Sequence, residues 1–292
     1  MEKLIIGVHP NEGTMRDRNP DVPFTPEELA SVIKECADVG ATVTHFHART
    51  ADGAMTHESA DYQACFDAIR AEADMLLAPS LANVPGYTID QRVANVLGVP
   101  GLPRSRPEFM VIEMGCASMD LWDPVARKFG SDNRLFLNHT GVQEALLGKA
   151  NELAMHPWLV SFNNSWSRAI QCQLDAGHVG QPFVVQFVLG GPEFPAAHAA
   201  DLNGLESHLA AMPVGHRYHW FVSAYRGDLL NVAADVIRRG GHLSIGVGDH
   251  HYEDRGAPTN AELVASLADL AQSLGRPVAS AAETREILGV TR

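Results

Sequence analysis

The chain has 292 residues, 46% of them hydrophobic and 20% charged, a composition that builds one large globular domain or two small ones. Its net charge of −13 at pH 7 argues against a nucleic-acid surface, though not against a local cationic patch for a small anion. No apolar run reaches membrane length, and the one after Met1-Glu2-Lys3 is too short for a signal segment, so a membrane partner is excluded.

Taken in order, one unit recurs: a short apolar strand, a polar loop, an amphipathic helix. Leu4–Val8 reads as the first strand, followed by a long loop to Phe24. Thr25-Pro26-Glu27-Glu28 combines an N-cap, a Pro at the first helical position and acids in the first turn, so a helix opens there and ends at Gly40. Val43–His47 is the second strand, with a helix near Glu58–Glu72. Met75–Pro79 is the third, with a helix over Thr88–Leu97. Phe109–Met114 is the fourth; a long loop and a helix over Thr140–Met155 follow. Trp158–Phe162 and Ser165–Ala176 make the fifth unit. Phe183–Leu189, broken by Gly190-Gly191-Pro192, is the sixth strand, with a helix near Leu202–Ala211. Tyr218–Ala224 and Leu229–Arg239 make the seventh unit; His242–Val247 and Thr259–Leu274 make the eighth.

Strands alternating with helices imply a parallel sheet. Eight units in one domain of residues 1–292 point to a closed (β/α)8 TIM barrel. An open doubly wound sheet is the rival, but the turn after the first strand, Val8-His9-Pro10-Asn11, lacks the GxGxxG fingerprint. Four scattered cysteines without a CxxC suit reduced thiols in a cytoplasm.

In such a barrel the chemistry lies at the carboxyl ends of the strands. There the second strand places His45 and His47 two residues apart, hence on one side and about 7 Å apart along the chain. Neutral imidazoles so placed suit zinc or another divalent metal. Other polar residues fall at equivalent ends: His9 and Glu12, Ser80, Glu113, Asn163, Arg226 and Asp249. Glu113 lies in Phe-Met-Val-Ile-Glu-Met, so its carboxylate needs a partner or a metal. Arg104 and Arg106 fall in a helix-to-strand loop at the opposite end and are discounted.

The segments NPDVPFTPEELA, GATVTHFHARTADG, FVLGG, GGHLSIGVGD and PTNAELVASLADLAQSLGRPVASAAETREILG resemble the β-keto acid cleavage enzymes over nearly the whole chain. The resemblance implies a TIM barrel with a divalent metal, usually zinc. It implies a β-keto acid and acetyl-CoA as substrates, giving acetoacetate and a new acyl-CoA, and a homo-oligomer, by precedent a tetramer. It carries metal ligands onto His45 and His47, substrate contacts onto Glu12 and Ser80, and a catalytic aspartate onto Asp249. Three positions depart. A glutamate ligand beside that aspartate reads Gly248, an arginine four residues earlier reads Ser244, and a strand-five glutamate falls near Val160. The expectation is therefore that Glu113 takes the vacant ligand role, with Asp249 as runner-up, and that Asp249, Arg226 and Ser80 form the catalytic group. The rivals are a metal-dependent aldolase or lyase without CoA, a barrel metallohydrolase, and a ligand-binding protein without turnover. Against hydrolysis, the ends of strands five and six read Phe162-Asn163-Asn164 and Leu189-Gly190-Gly191, without histidines.

Overall fold

A computed structural model describes residues 2–99 and 106–290 of the chain; Arg104 lies outside them. The strands are β1 (Ile6–Val8), β2 (Ala41–Thr44), β3 (Leu76–Leu77), β4 (Phe109–Glu113), β5 (Cys116–Ser118), β6 (Trp122–Asp123), β7 (Lys128–Phe129), β8 (Leu135–Leu137), β9 (His156–Ser161), β10 (Phe183–Gly190), β11 (Tyr218–Tyr225) and β12 (His242–Ile245). The helices are α1 (Pro26–Asp38), α2 (Ser59–Glu72), α3 (Ile89–Leu97), α4 (Thr140–Glu152), α5 (Asn164–Asp175), α6 (Leu202–Ala211), α7 (Leu230–Arg238), α8 (Asn260–Ser273) and α9 (Ala281–Leu288).

Eight parallel strands form one sheet in the order β3-β2-β1-β12-β11-β10-β9-β4. The first and last barrel units are thus neighbours, with Ile6 opposite Leu243 and Val8 opposite Ile245, as a barrel requires. The ladder runs all the way round except between β3 and β4. Side chains close part of that seam. The Glu108 carboxylate accepts from the backbone N–H of Leu77 at 2.8 Å and from Arg70 Nη2 at 2.8 Å.

Burial explains the strand sequences. All eight residues of β10 are buried, so FVVQFVLG has no polar alternation. Its one amide, Gln186, bonds Trp158 Nε1 and Ser223 Oγ, each at 3.0 Å. Trp158 packs on Phe221 and Phe109, with ring centroids 4.5 and 5.0 Å away, filling the barrel below its carboxyl end. The first helix starts as its sequence dictates: Thr25 accepts from the Glu28 N–H, and the Glu28 side chain returns to the Thr25 N–H.

Two features around the cavity differ from the sequence reading. The long loop after β4 holds two small antiparallel ribbons, β5 with β8 and β6 with β7, over the cavity mouth. The second strand ends at Thr44, and His45 to His47 continue as extended chain held by single bonds, such as His45 N–H to Val8 O at 3.0 Å. Among the described residues no helix is long and apolar enough to cross a membrane.

Candidate active site

The loop after β1 is stapled to its neighbours on both sides. On one side, Asn11 pairs with the backbone of His47, its Nδ2 donating to His47 O at 2.9 Å and its Oδ1 accepting from His47 N–H at 3.1 Å. The buried Arg49 guanidinium donates to Asn11 O at 2.7 Å and Glu12 O at 2.8 Å. On the other side, Gly248 N–H donates to His9 O at 3.0 Å and Gly13 N–H to Gly248 O at 2.9 Å. The fit at 248 is so close that a Cβ there would lie 2.6 Å from His9 O and 2.5 Å from Asn11 N, and nearer still to Glu12 N. No side chain fits at 248 while the loop is in place.

This clamping sends the Glu12 side chain between the two histidines. Its Oε2 lies 2.9 Å from His45 Nε2 and 2.9 Å from His47 Nε2. The His45 Nδ1 faces Ala78 O at 2.6 Å; a carbonyl only accepts, so Nδ1 carries a proton and Nε2 is the atom turned to the shared point. Burial pushes the Glu12 carboxyl up, but the adjacent rings outweigh it and hold it well below the ordinary range. Burial likewise opposes charge on His45, yet Glu12 wins and raises the ring to about 9.

A carboxylate oxygen between two ring nitrogens is stabilised by cationic charge at that point. A proton on His45 supplies it, and a divalent cation would replace it. Two imidazole nitrogens and a carboxylate oxygen, with the back of one ring fixed on a carbonyl, are the donor set such a metal takes, so the residues fit it.

Among the described residues one other His-Glu group is as compact: Glu2, His219 and His242 at the opposite end of the barrel. There His242 Nδ1 accepts the Ile5 N–H at 3.0 Å. The neutral ring therefore keeps its proton on Nε2, 3.4 Å from Glu2, and offers no lone pair.

The remaining expected residues line one cavity of about 690 Å³ with the cluster: Ser80, Glu113, Arg226 and Asp249. Ser80 is buried and, among the described residues, its Oγ bonds only Leu81 O, at 3.3 Å. The Asp249 Oδ2 lies 2.9 Å from His9 Nδ1, and burial raises its carboxyl above the usual range despite that ring. The Arg226 N–H reaches Asp249 O, but its guanidinium turns to Gly13 O at 3.0 Å. Glu113 stands apart from the compact triad, its Oε2 3.5 Å from Asn138 Nδ2. Glu12, expected as a substrate contact, is the acid that the structure brings to both histidines.

His9, expected at the end of the first strand, pairs with Asp249 across the barrel closure. One residue escaped the sequence reading: Arg92, on α3, was not singled out. A signal was present: it lies one turn before the buried Val96, on the apolar stripe.

A parallel eight-stranded barrel with two histidines and a carboxylate converging at its carboxyl end defines a TIM barrel with a candidate metal-binding group where catalysis is expected. The model of the beta-keto acid cleavage enzyme family matches residues 3–290, and the chain belongs to that family. It is 31% identical to the 3-keto-5-aminohexanoate cleavage enzyme of Acetoanaerobium sticklandii, over 100% of both chains. It is 25% identical to the 3-oxoadipate:acetyl-CoA acetyltransferase of Cupriavidus necator, over 93% of this chain and 89% of that one. Among solved structures, ObcA bound to oxaloacetate superposes with a TM-score of 0.70 and 15% identity, over 94% of this chain and 68% of that one, a likeness of fold.

Proposed function

We propose that the chain cleaves a β-keto acid with acetyl-CoA, releasing acetoacetate and a new acyl-CoA. A divalent metal, for which zinc fits the donors, would be held by His45 and His47 with Glu12 as the acid beside them. The role expected of Glu113 passes to Glu12, because the Glu12 carboxylate meets both rings. When bound, that ion supplies Lewis acidity to a keto oxygen.

The chain's own groups do the rest. Asp249 fixes the His9 ring through Nδ1 at the wall of the cavity, within reach of a substrate proton. Ser80 Oγ, weakly engaged at 3.3 Å, can turn to a substrate carboxylate or a developing oxyanion. Arg226 holds the β1 loop through Gly13 O and thereby keeps Glu12 in place. Leu135, Phe136 and Leu137 line the mouth of the cavity.

The convergence of His45, His47 and Glu12 carries this reading. The decisive test is a panel of β-keto acids with acetyl-CoA on metal-replete protein, reading acetoacetate release. We place the enzyme in the cytoplasm, since all four cysteines are free and Cys116 and Cys172 are exposed. A homo-oligomeric form is carried over from the resemblance.

A further inference from the structure

The seam between β3 and β4 is where the barrel ladder stops. At its upper end three polar side chains meet: Arg92 from α3, Asn138 just before α4, and Glu113 at the end of β4. Arg92 is only 4% exposed. Its Nε donates to Ala82 O at 3.1 Å and its Nη1 to Asn138 Oδ1 at 2.7 Å. Its Nη2 is buried with no hydrogen-bond partner among the described residues. No carboxylate among the described residues comes within ion-pair distance of it.

That is an anomaly, because a guanidinium taken out of water without an acid costs several kcal/mol, and a buried donor without a partner calls for a reason. The other buried arginines show the contrast. Arg276 donates to five carbonyl oxygens, those of Glu2, Ile237, Gly241, Lys3 and Gly240. Arg49 donates to Asn11, Glu12, Gly53 and Met15 through its two terminal nitrogens, with its Nε left without a partner among the described residues. Both are used by the fold, and neither lines the cavity. Arg92 does line it.

Glu113 reaches the same cavity from the other side of Asn138. Asn138 Nδ2 holds the Glu113 backbone O at 3.0 Å and stands 3.5 Å from Oε2. Burial pushes the Glu113 carboxyl above the ordinary range, against the pull of the Arg92 charge. The unpartnered guanidinium N–H of Arg92 is a donor for one carboxylate. The cavity wall contributed by Leu81, Val111 and Val160 is aliphatic and suits methylene groups.

We propose that Arg92, positioned by Asn138, forms a carboxylate subsite beside Glu113 in the β3–β4 seam, and that the preferred substrate is a β-keto acid with a second carboxylate on its tail. This rests on the proposed reaction for its catalytic arm only.

The test has two arms. In the first, adipate and hexanoate are titrated into metal-replete wild type, Arg92→Met and Arg92→Lys by calorimetry. Adipate binds wild type at least tenfold tighter than hexanoate, Arg92→Met abolishes that preference, and Arg92→Lys keeps part of it. In the second, acetoacetate release is measured with acetyl-CoA and either a six-carbon β-keto diacid or the β-keto monoacid of equal length. Arg92→Met lowers kcat/KM for the diacid at least 100-fold and for the monoacid less than threefold. Equal binding of adipate and hexanoate by wild type overturns the subsite, and that comparison stands even if Arg92→Met fails to fold. Equal losses on both keto acids also overturn it, since Arg92 would then hold the carboxylate that they share or only the fold. If neither keto acid is turned over, the proposed reaction fails, while the binding arm still decides the subsite.

Discussion

Gly248→Ala probes the device that places Glu12. The added methyl would lie 2.5 Å from Asn11 N and 2.6 Å from His9 O, against ordinary contact beyond 3.4 Å, so loop and strand end must separate by nearly an ångström. Nothing flexible can absorb this, because the atoms met are backbone and both segments are pinned by Asn11, Arg49 and the paired Gly248 bonds. Overpacking of this kind costs about 2 kcal/mol, which for a domain this large lowers Tm by roughly 4–8 °C. A shift of that size also carries the Glu12 carboxylate out of ligand range of a metal held by two histidines, so zinc affinity should fall at least about tenfold. The assay is a thermal melt with zinc analysis after dialysis against a weak chelator. Gly148→Ala is the control: it lies inside α4, a Cβ there meets nothing within 4 Å, and the change should leave Tm level or raise it. If Gly248→Ala melts within about 1 °C of wild type and retains full zinc, the loop does not position the site as described.

Four further outcomes are expected. His47→Ala and Glu12→Ala should each lose most bound zinc on dialysis and reduce turnover at least about 100-fold, with melting behaviour close to that of metal-free wild type. Asn11→Ala removes both side-chain bonds to the His47 backbone and strands a buried N–H, so it should cost about 2 kcal/mol by denaturant titration and loosen zinc as well. Arg276→Ala lies at the far end of the barrel and should lower Tm while leaving kcat within about twofold, since the carbonyls it satisfies are remote from the cavity. Burial holds His208 neutral down to about 3, against 6.5 when exposed. The unfolded chain takes the proton first, so this stability is complete above pH 6.5 and declines as pH falls toward 3. Stability measured by urea at pH 7 and pH 4.5 should show this loss in wild type and a shallower one in His208→Phe.

Much of the architecture was legible because its signals are local. A fully buried parallel strand reads as an unbroken apolar run, as in Phe183–Leu189, and several helix starts carry their own caps, as at Thr25 and Thr259. The two histidines were legible for the same reason, since side-chain alternation two residues apart needs no tertiary contact. Glu12 was not legible as the acid beside them. Its direction depends on Asn11 meeting His47, Arg49 meeting two loop carbonyls, and Gly248 leaving room, all of them contacts between segments distant in sequence. The sequence reading saw that a ligand was missing at Gly248 but not that the bare glycine lets the loop with Glu12 approach. The two ribbons after β4 escaped because strands of two or three residues leave no periodicity.

The most direct measurement is one time course: metal-replete protein, a β-keto acid, and acetyl-CoA present or withheld, with acetoacetate and acyl-CoA quantified together. Both products should appear in equal amounts, only when acetyl-CoA is supplied, and vanish in His47→Ala. Breakdown of the keto acid at the same rate without acetyl-CoA, or undiminished turnover by His47→Ala, would contradict a CoA-dependent cleavage at these two histidines.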